Sequence, residues 1–118
     1  MQDADEALLE LVKASLDDDK SEDIVSIDLR GKTEIADFMV VASGRSSRHV
    51  ASIAENLRER LKQHGLKGIV IEGLTQGDWV LIDVGDIVVH LFRPEVRSFY
   101  TIEKMWSGPN LANGTDGP

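Results

Sequence analysis

Glu72 to Phe92 reads EGLTQGDWVLIDVGDIVVHLF, a valine-rich stretch holding one His, His90, with Asp83 and Trp79 a few residues before it. An imidazole close to a carboxylate can act as an oriented general base, and a His with acidic neighbours can begin a metal site. Both chemistries lack parts. The chain has no Cys, and no Ser or Thr lies between Trp79 and Phe92 to serve as a nucleophile. A metal site would need a third ligand near His90, yet His49 and His64 fall on, or at the end of, a separate helical stretch. The same residues also have the make-up of an interface centre, where aromatic groups lend area and a few polar tips set orientation.

A second candidate is ASGRSSRHV, residues 42–50. Arg45, Ser46 and Arg48 gather where a helix begins, and basic groups there oppose the helix dipole unless an anion is close by. A phosphate ester or RNA phosphate could dock on such a turn. Ordinary capping by Ser, with the arginines in water, is the plainer explanation. The stretch lacks the further glycines and the Lys of a P-loop or dinucleotide fingerprint. No Asp-x-Asp pair falls on an expected strand, so the metal acids of nucleotide transfer are missing. The residues therefore point to no catalytic group, no metal and no cofactor.

These side chains must be placed by the elements around them. Asp3–Leu16 has the pattern of an amphipathic helix, with Leu8, Leu9, Leu11, Val12 and Leu16 on one side. Strands are expected at Ile24–Leu29 and Asp37–Ser43, both apolar enough to be largely buried. The helix after Gly44 carries Val50, Ile53, Ala54, Leu57 and Leu61 as a stripe, with Gly65 as its stop. Lys67–Glu72, Trp79–Val84 and Ile87–Phe92 complete five strands, and Pro94 suits the first turn of a terminal helix. The second strand, long helix and third strand form a crossover that favours parallel pairing, whereas the last two strands make an antiparallel hairpin. The expected fold class is α/β (α+β mixed): a single domain over residues 1–107, a mixed five-stranded sheet with flanking helices, and a disordered tail at 108–118.

Gly85 and Asp86 occupy the two loop positions of that hairpin, with Gly first as a type II′ turn requires. This sets Asp83 opposite Val88, Leu81 opposite His90 and Trp79 opposite Phe92. Alternation then sends Val80, Ile82, Val84, Ile87, Val89 and Leu91 to one face, which is core. Trp79, Leu81, Asp83, Val88, His90 and Phe92 share the other. That face is either open to a partner or covered by the terminal helix, with His90 a half-buried packing residue.

The chain of 118 residues has a net charge of −8, of which −7 falls within residues 1–23. The remainder is nearly neutral, which argues against gripping nucleic acid by phosphates alone and suits a basic protein partner. No apolar run reaches the length of a membrane helix, and the acidic N-terminus is unlike a signal peptide. The expected setting is the cytoplasm.

The motifs ADFMVVASGRSSRHVASIA, EGLTQGDWVLIDVGDIVVHLF and RSFYTIEKMW occur in this order and spacing, and by them the chain resembles the ribosomal silencing factors, or Iojap-like proteins. The resemblance runs from Ala7 to about Trp106. It implies a fold related to nucleotidyltransferases without their catalytic acids, and homodimers when free. It implies binding to the large ribosomal subunit through ribosomal protein fourteen, blocking the small subunit and lowering translation when nutrients are short. Organelle relatives imply an alternative role in large-subunit assembly. A nucleotide or phosphate-ester enzyme using the Gly44–Ser47 turn is the reading from outside the family. The residues placed at the partner surface are Glu72, Trp79, Leu81, Asp83, His90, Phe92, Arg97 and Tyr100. A minor ribosomal RNA contact falls to Arg45, Ser46 and Arg48.

Overall fold

The computed structural model describes residues 4–96; Arg97, Tyr100, most of the expected terminal helix and the 108–118 tail lie outside the described residues. Seven elements follow in order: α1 (Ala4–Asp18), β1 (Glu22–Asp28), β2 (Phe38–Ser43), α2 (Ser47–Gln63), β3 (Val70–Glu72), β4 (Trp79–Asp83) and β5 (Ile87–Phe92). The strands form one five-stranded mixed sheet in the order β1-β2-β5-β4-β3.

The helix α2 is built as its residues dictate. Ser46, in extended conformation, caps it by accepting from the His49 N–H, and Val50, Ile53, Ala54, Leu57 and Leu61 are its buried residues. At its end Gly65 has φ +90, and its N–H and that of Leu66 close on the Lys62 and Leu61 carbonyls. This is the paired bonding that satisfies a helix C-terminus when a glycine turns left-handed. In α1 the buried positions are Leu9, Val12, Ser15 and Leu16, while Leu8 and Leu11 pack at the margin. Arg60 of α2 joins the two helices by donating to the Ser15 carbonyl, the Ser15 hydroxyl and the Asp19 carboxylate at 2.7–3.1 Å.

Pairing departs from the sequence expectation in one respect. Strand β2 pairs in parallel with β5, not with β3. The crossover through α2 carries the chain to the far edge of the sheet. There β3 pairs antiparallel with β4, and the β4-β5 hairpin then fills the space beside β2. Strand β1, expected to be buried, is an exposed edge strand in which only Ile27 is buried, because it pairs with β2 alone. β2, in contrast, is buried along its whole length. Strand β3 is also shorter than expected, starting at Val70.

Both sheet faces carry apolar clusters. Val80, Ile82, Val84, Ile87, Val89 and Leu91 join Phe38, Val40 and Ala42 against α1 and α2. On the other face Ile27, Met39, Val41 and Phe92 form a second cluster with Leu29 and Ala36, against which Val88 and Val96 pack. Among the described residues this second cluster includes none from β3 or β4.

Candidate functional site

The hairpin register is the one the Gly85-Asp86 turn requires: Trp79 faces Phe92, Leu81 faces His90 and Asp83 faces Val88. Gly85 has φ +86 while Asp86 stays out of the left-handed region, as a type II′ turn demands. One Asp83 carboxylate oxygen accepts from the Gly85 N–H at 3.0 Å, so this acid braces the turn as well as facing solvent. Strand β3 adds Glu72 opposite Leu81 and Val70 opposite Asp83 on the same face.

Exposure divides the face. Trp79 is 37% exposed and Val70 50%, Leu81 is half-buried, and Glu72 and Asp83 are exposed. His90 keeps 7% and Phe92 nothing, so Phe92 cannot lend area to a partner, contrary to an open face containing all six side chains. Strand β5 is central, so His90 lies beside Val41 and Phe92 beside Ser43 of fully buried β2; Phe92 joins the second apolar cluster, and the Trp79 indole stacks on it. Trp79 and Leu81 lie on β4, next to the short edge strand.

The three rings act together. The Trp79 indole stacks on Phe92 with centroids 5.0 Å apart and donates through Nε1 to His90 Nδ1 at 3.0 Å. An indole N–H only donates, so Nδ1 must present a lone pair and the imidazole is neutral with its proton on Nε2. Burial acts in the same direction, lowering the His90 pKa from 6.5 to about 4. A base held this far below neutrality by desolvation, with its Nδ1 occupied by an indole, is poorly suited to catalysis.

Beside the rings, Glu72, Gly73, Trp79 and Leu81 line a shallow groove of about 290 Å³. Gly73 has φ +92, and a side chain there would collide with the Trp79 carbonyl. The loop that follows closes by a bond from the Gly77 N–H to the Gly73 carbonyl, and Gly77 in turn packs on Ser47. Arg93 then pairs with Asp78 at 2.8 Å, tying together the residues just outside the Trp79–Phe92 stack. The strand ends carrying the aromatic pair are thus pinned by backbone and charge.

The Gly44–Ser47 turn serves packing. A Cβ on Gly44 would press on Val50 and Ile53, so glycine permits α2 to sit close to the sheet. The Ser46 hydroxyl is engaged as the cap, Ser47 Oγ donates to Asp78 at 3.5 Å, and Arg45 and Arg48 are exposed. Asp78 thereby supplies an acid of the chain's own near this helix start. His49 is also accounted for: its Nδ1 accepts from the Arg45 N–H at 2.9 Å, leaving Nε2 to donate to the Asp19 carbonyl at 2.8 Å.

One group of acids was not visible from sequence spacing. Asp5, Asp37 and Asp86 bring carboxylate oxygens within 4.8 Å of one another, the one group among the described residues with the geometry to hold a metal ion. They come from α1, the residue before β2 and the hairpin turn, so proximity in the chain gives no sign of them. A hydrogen bond with Asp37, reinforced by desolvation and the Asp86 charge, raises the Asp5 pKa from 3.8 to about 6. The cluster lies at the start of β2 and the Gly44 turn at its end, about 20 Å away at ~3.3 Å per residue, so the two cannot form one phosphoryl-transfer site.

The fold and this face define a single-domain α/β protein with one sheet face sealed by helices and, on the other, a partly exposed Trp79. Comparison with known proteins makes the assignment specific. The family model described as "Ribosomal silencing factor during starvation" matches residues 1–116, and the chain belongs to that family. A ribosomal silencing factor of Zymomonas mobilis is 57% identical over 101 residues, covering 86% of this chain and 76% of the relative. The Bacillus subtilis ribosomal silencing factor is 35% identical, with 91% of each chain covered. A crystal structure of a Chromobacterium violaceum protein superposes with a TM-score of 0.83 at 39% identity, covering 87% of this chain and 86% of that one. More distantly, a mouse protein named for mitochondrial assembly of the ribosomal large subunit is 29% identical, over 84% of this chain and 45% of its own length.

Proposed function

We propose that this protein represses translation by docking on the large ribosomal subunit through ribosomal protein fourteen and occupying the space the small subunit needs, above all when nutrients are limiting. Family membership supports the ribosomal setting. The observation that carries the docking face is an exposed tryptophan held against Phe92 beside a groove whose rim includes Glu72. Rigid aromatic area bordered by acids suits a basic protein surface. Trp79 and Leu81 supply contact area, Glu72 and Asp83 face cationic side chains, and His90 and Phe92 support the indole from beneath. Arg97 and Tyr100, outside the described residues, are assigned to the same contact by the family resemblance. Arg45 and Arg48, exposed at the start of α2, fit a minor contact with ribosomal RNA phosphates, with Ser46 as the cap that orders them.

This mechanism needs no bond made or broken and no cofactor; on the family resemblance, the protein works in the cytoplasm and is a homodimer when free. The test is sedimentation: added protein should travel with free large subunits in a sucrose gradient and reduce their joining to small subunits. Trp79→Ala should weaken this binding by about 2 kcal/mol while the chain stays folded. Unchanged subunit joining with no co-sedimentation would end the proposal. The name of the mouse relative favours a second reading, a factor for large-subunit assembly. Cells lacking the protein would then accumulate immature large subunits, whereas a pure silencer would leave them mature.

A further inference from the structure

Trp79 is an unusual anchor in having its polar edge already committed. A tryptophan at 37% exposure on the strand next to the sheet edge would ordinarily sample several rotamers with its N–H turned to water. Here two constraints from β5 meet the ring. Phe92, directly opposite in the register, supports the indole face at 5.0 Å with the planes 28° apart. His90, one diagonal step along, receives the N–H at 3.0 Å, and its own ring lies within 14° of parallel to Phe92. Stacking on Phe92 sets the tilt of the ring, and the hydrogen bond to His90 sets its position within that plane.

We propose that His90 is the positioning residue of the docking face: its Nδ1 fixes the Trp79 indole in the orientation that shapes the groove with Glu72, Gly73 and Leu81, and His90 acts on the partner only through Trp79. The proposal rests on the docking function assigned to this face. At 7% exposure the imidazole offers a partner little surface, while the ring it holds is both exposed and part of the groove. Gly73 completes the device from the other side, since any side chain there would push on the Trp79 backbone. With its N–H given to His90, the Trp79 indole has no hydrogen bond to donate, so a partner's acceptor is not recognised through Nε1.

The bond can be read in the wild-type protein by nuclear magnetic resonance, as a nitrogen–nitrogen coupling across the hydrogen bond from Trp79 Nε1 to His90 Nδ1. The chain has two tryptophans, and Trp79→Phe assigns the signal. The coupling is expected, and a Trp79 indole proton that shows none and exchanges like a free indole overturns the proposal before any His90 variant is made. Binding to isolated large subunits is then followed in a double-mutant cycle. His90→Phe keeps the ring and removes the acceptor. It should weaken binding about five- to tenfold, as expected when a side chain must be immobilised on binding, and should cost less than about twofold in the Trp79→Phe background. Equal losses in both backgrounds would show that His90 acts independently of Trp79, and would overturn the proposal. His90→Asn, whose side-chain oxygen can stand where Nδ1 does, should restore most of the binding; it also serves if His90→Phe fails to fold, and a full loss of binding by folded His90→Asn overturns the proposal. Should the wild-type protein not bind large subunits at all, the docking function falls, while the nitrogen–nitrogen coupling still reports separately on whether His90 holds the indole.

Discussion

Acidification should destabilise this protein through His90 in a way that can be isolated. The imidazole is buried to 7% exposure, and desolvation lowers its pKa from 6.5 to about 4. Between these two values the unfolded chain binds the proton and the folded chain does not. Stability therefore rises with pH across the window and is lost as pH falls from 6.5 toward 4. At 1.36 kcal/mol per pH unit, the shift corresponds to roughly 3 kcal/mol, a large share of the ~5–15 kcal/mol typical of a domain. Other groups titrate nearby: Asp28, held to about 2 by hydrogen bonds from Arg30, loses its stabilisation at lower pH, and Asp5 contributes with opposite sign. Comparing wild type with His90→Phe cancels both. Urea unfolding followed by far-ultraviolet circular dichroism, at several pH values from about 7 down to about 4.5, should show wild type losing on the order of 2–3 kcal/mol relative to the variant. A constant offset is expected from loss of the Trp79–His90 hydrogen bond, but it should not depend on pH. Parallel curves across the window would refute the reasoning, because they would mean His90 does not titrate differently in the two states.

Gly73→Ala should cost about 2 kcal/mol or more, measured by urea unfolding, since φ +92 and the collision with the Trp79 carbonyl act together. Asp5→Asn should stabilise the protein at neutral pH by about 1 kcal/mol, the scale of a single repulsion between charges ~5 Å apart in water. The Asp5 pKa is raised to about 6, so its proton is held at low pH and lost as pH rises through 6; the gain in thermal stability should accordingly disappear below about pH 4. Leu57→Ala removes a fully buried side chain at the α2–sheet interface and should cost about 3 kcal/mol, seen as a lowered Tm with the sheet face unchanged.

Three features were legible without coordinates because each depends on neighbours close in the chain. The apolar stripe of α2 and its glycine stop follow from the helical period. The Trp79–Phe92 and Leu81–His90 pairs follow from a two-residue turn that admits one register. The division of the hairpin into an aliphatic face and a mixed one follows from alternation. The family motifs extend this reading because they record such local patterns in a fixed order.

What tertiary structure alone decided is which of those residues meet water. Placing β5 between β2 and β4, when the crossover had suggested β3, buries His90 and Phe92 and leaves Trp79 and Leu81 near the open edge. The same arrangement brings Asp5, Asp37 and Asp86 together from three distant segments. It also sets Asp78 beside the start of α2, where the sequence had raised an external anion only as the alternative to ordinary capping. Strand order is settled by how α2 packs across the sheet and by which strand can fill the space beside β2, a competition among long-range contacts that no short window of residues contains.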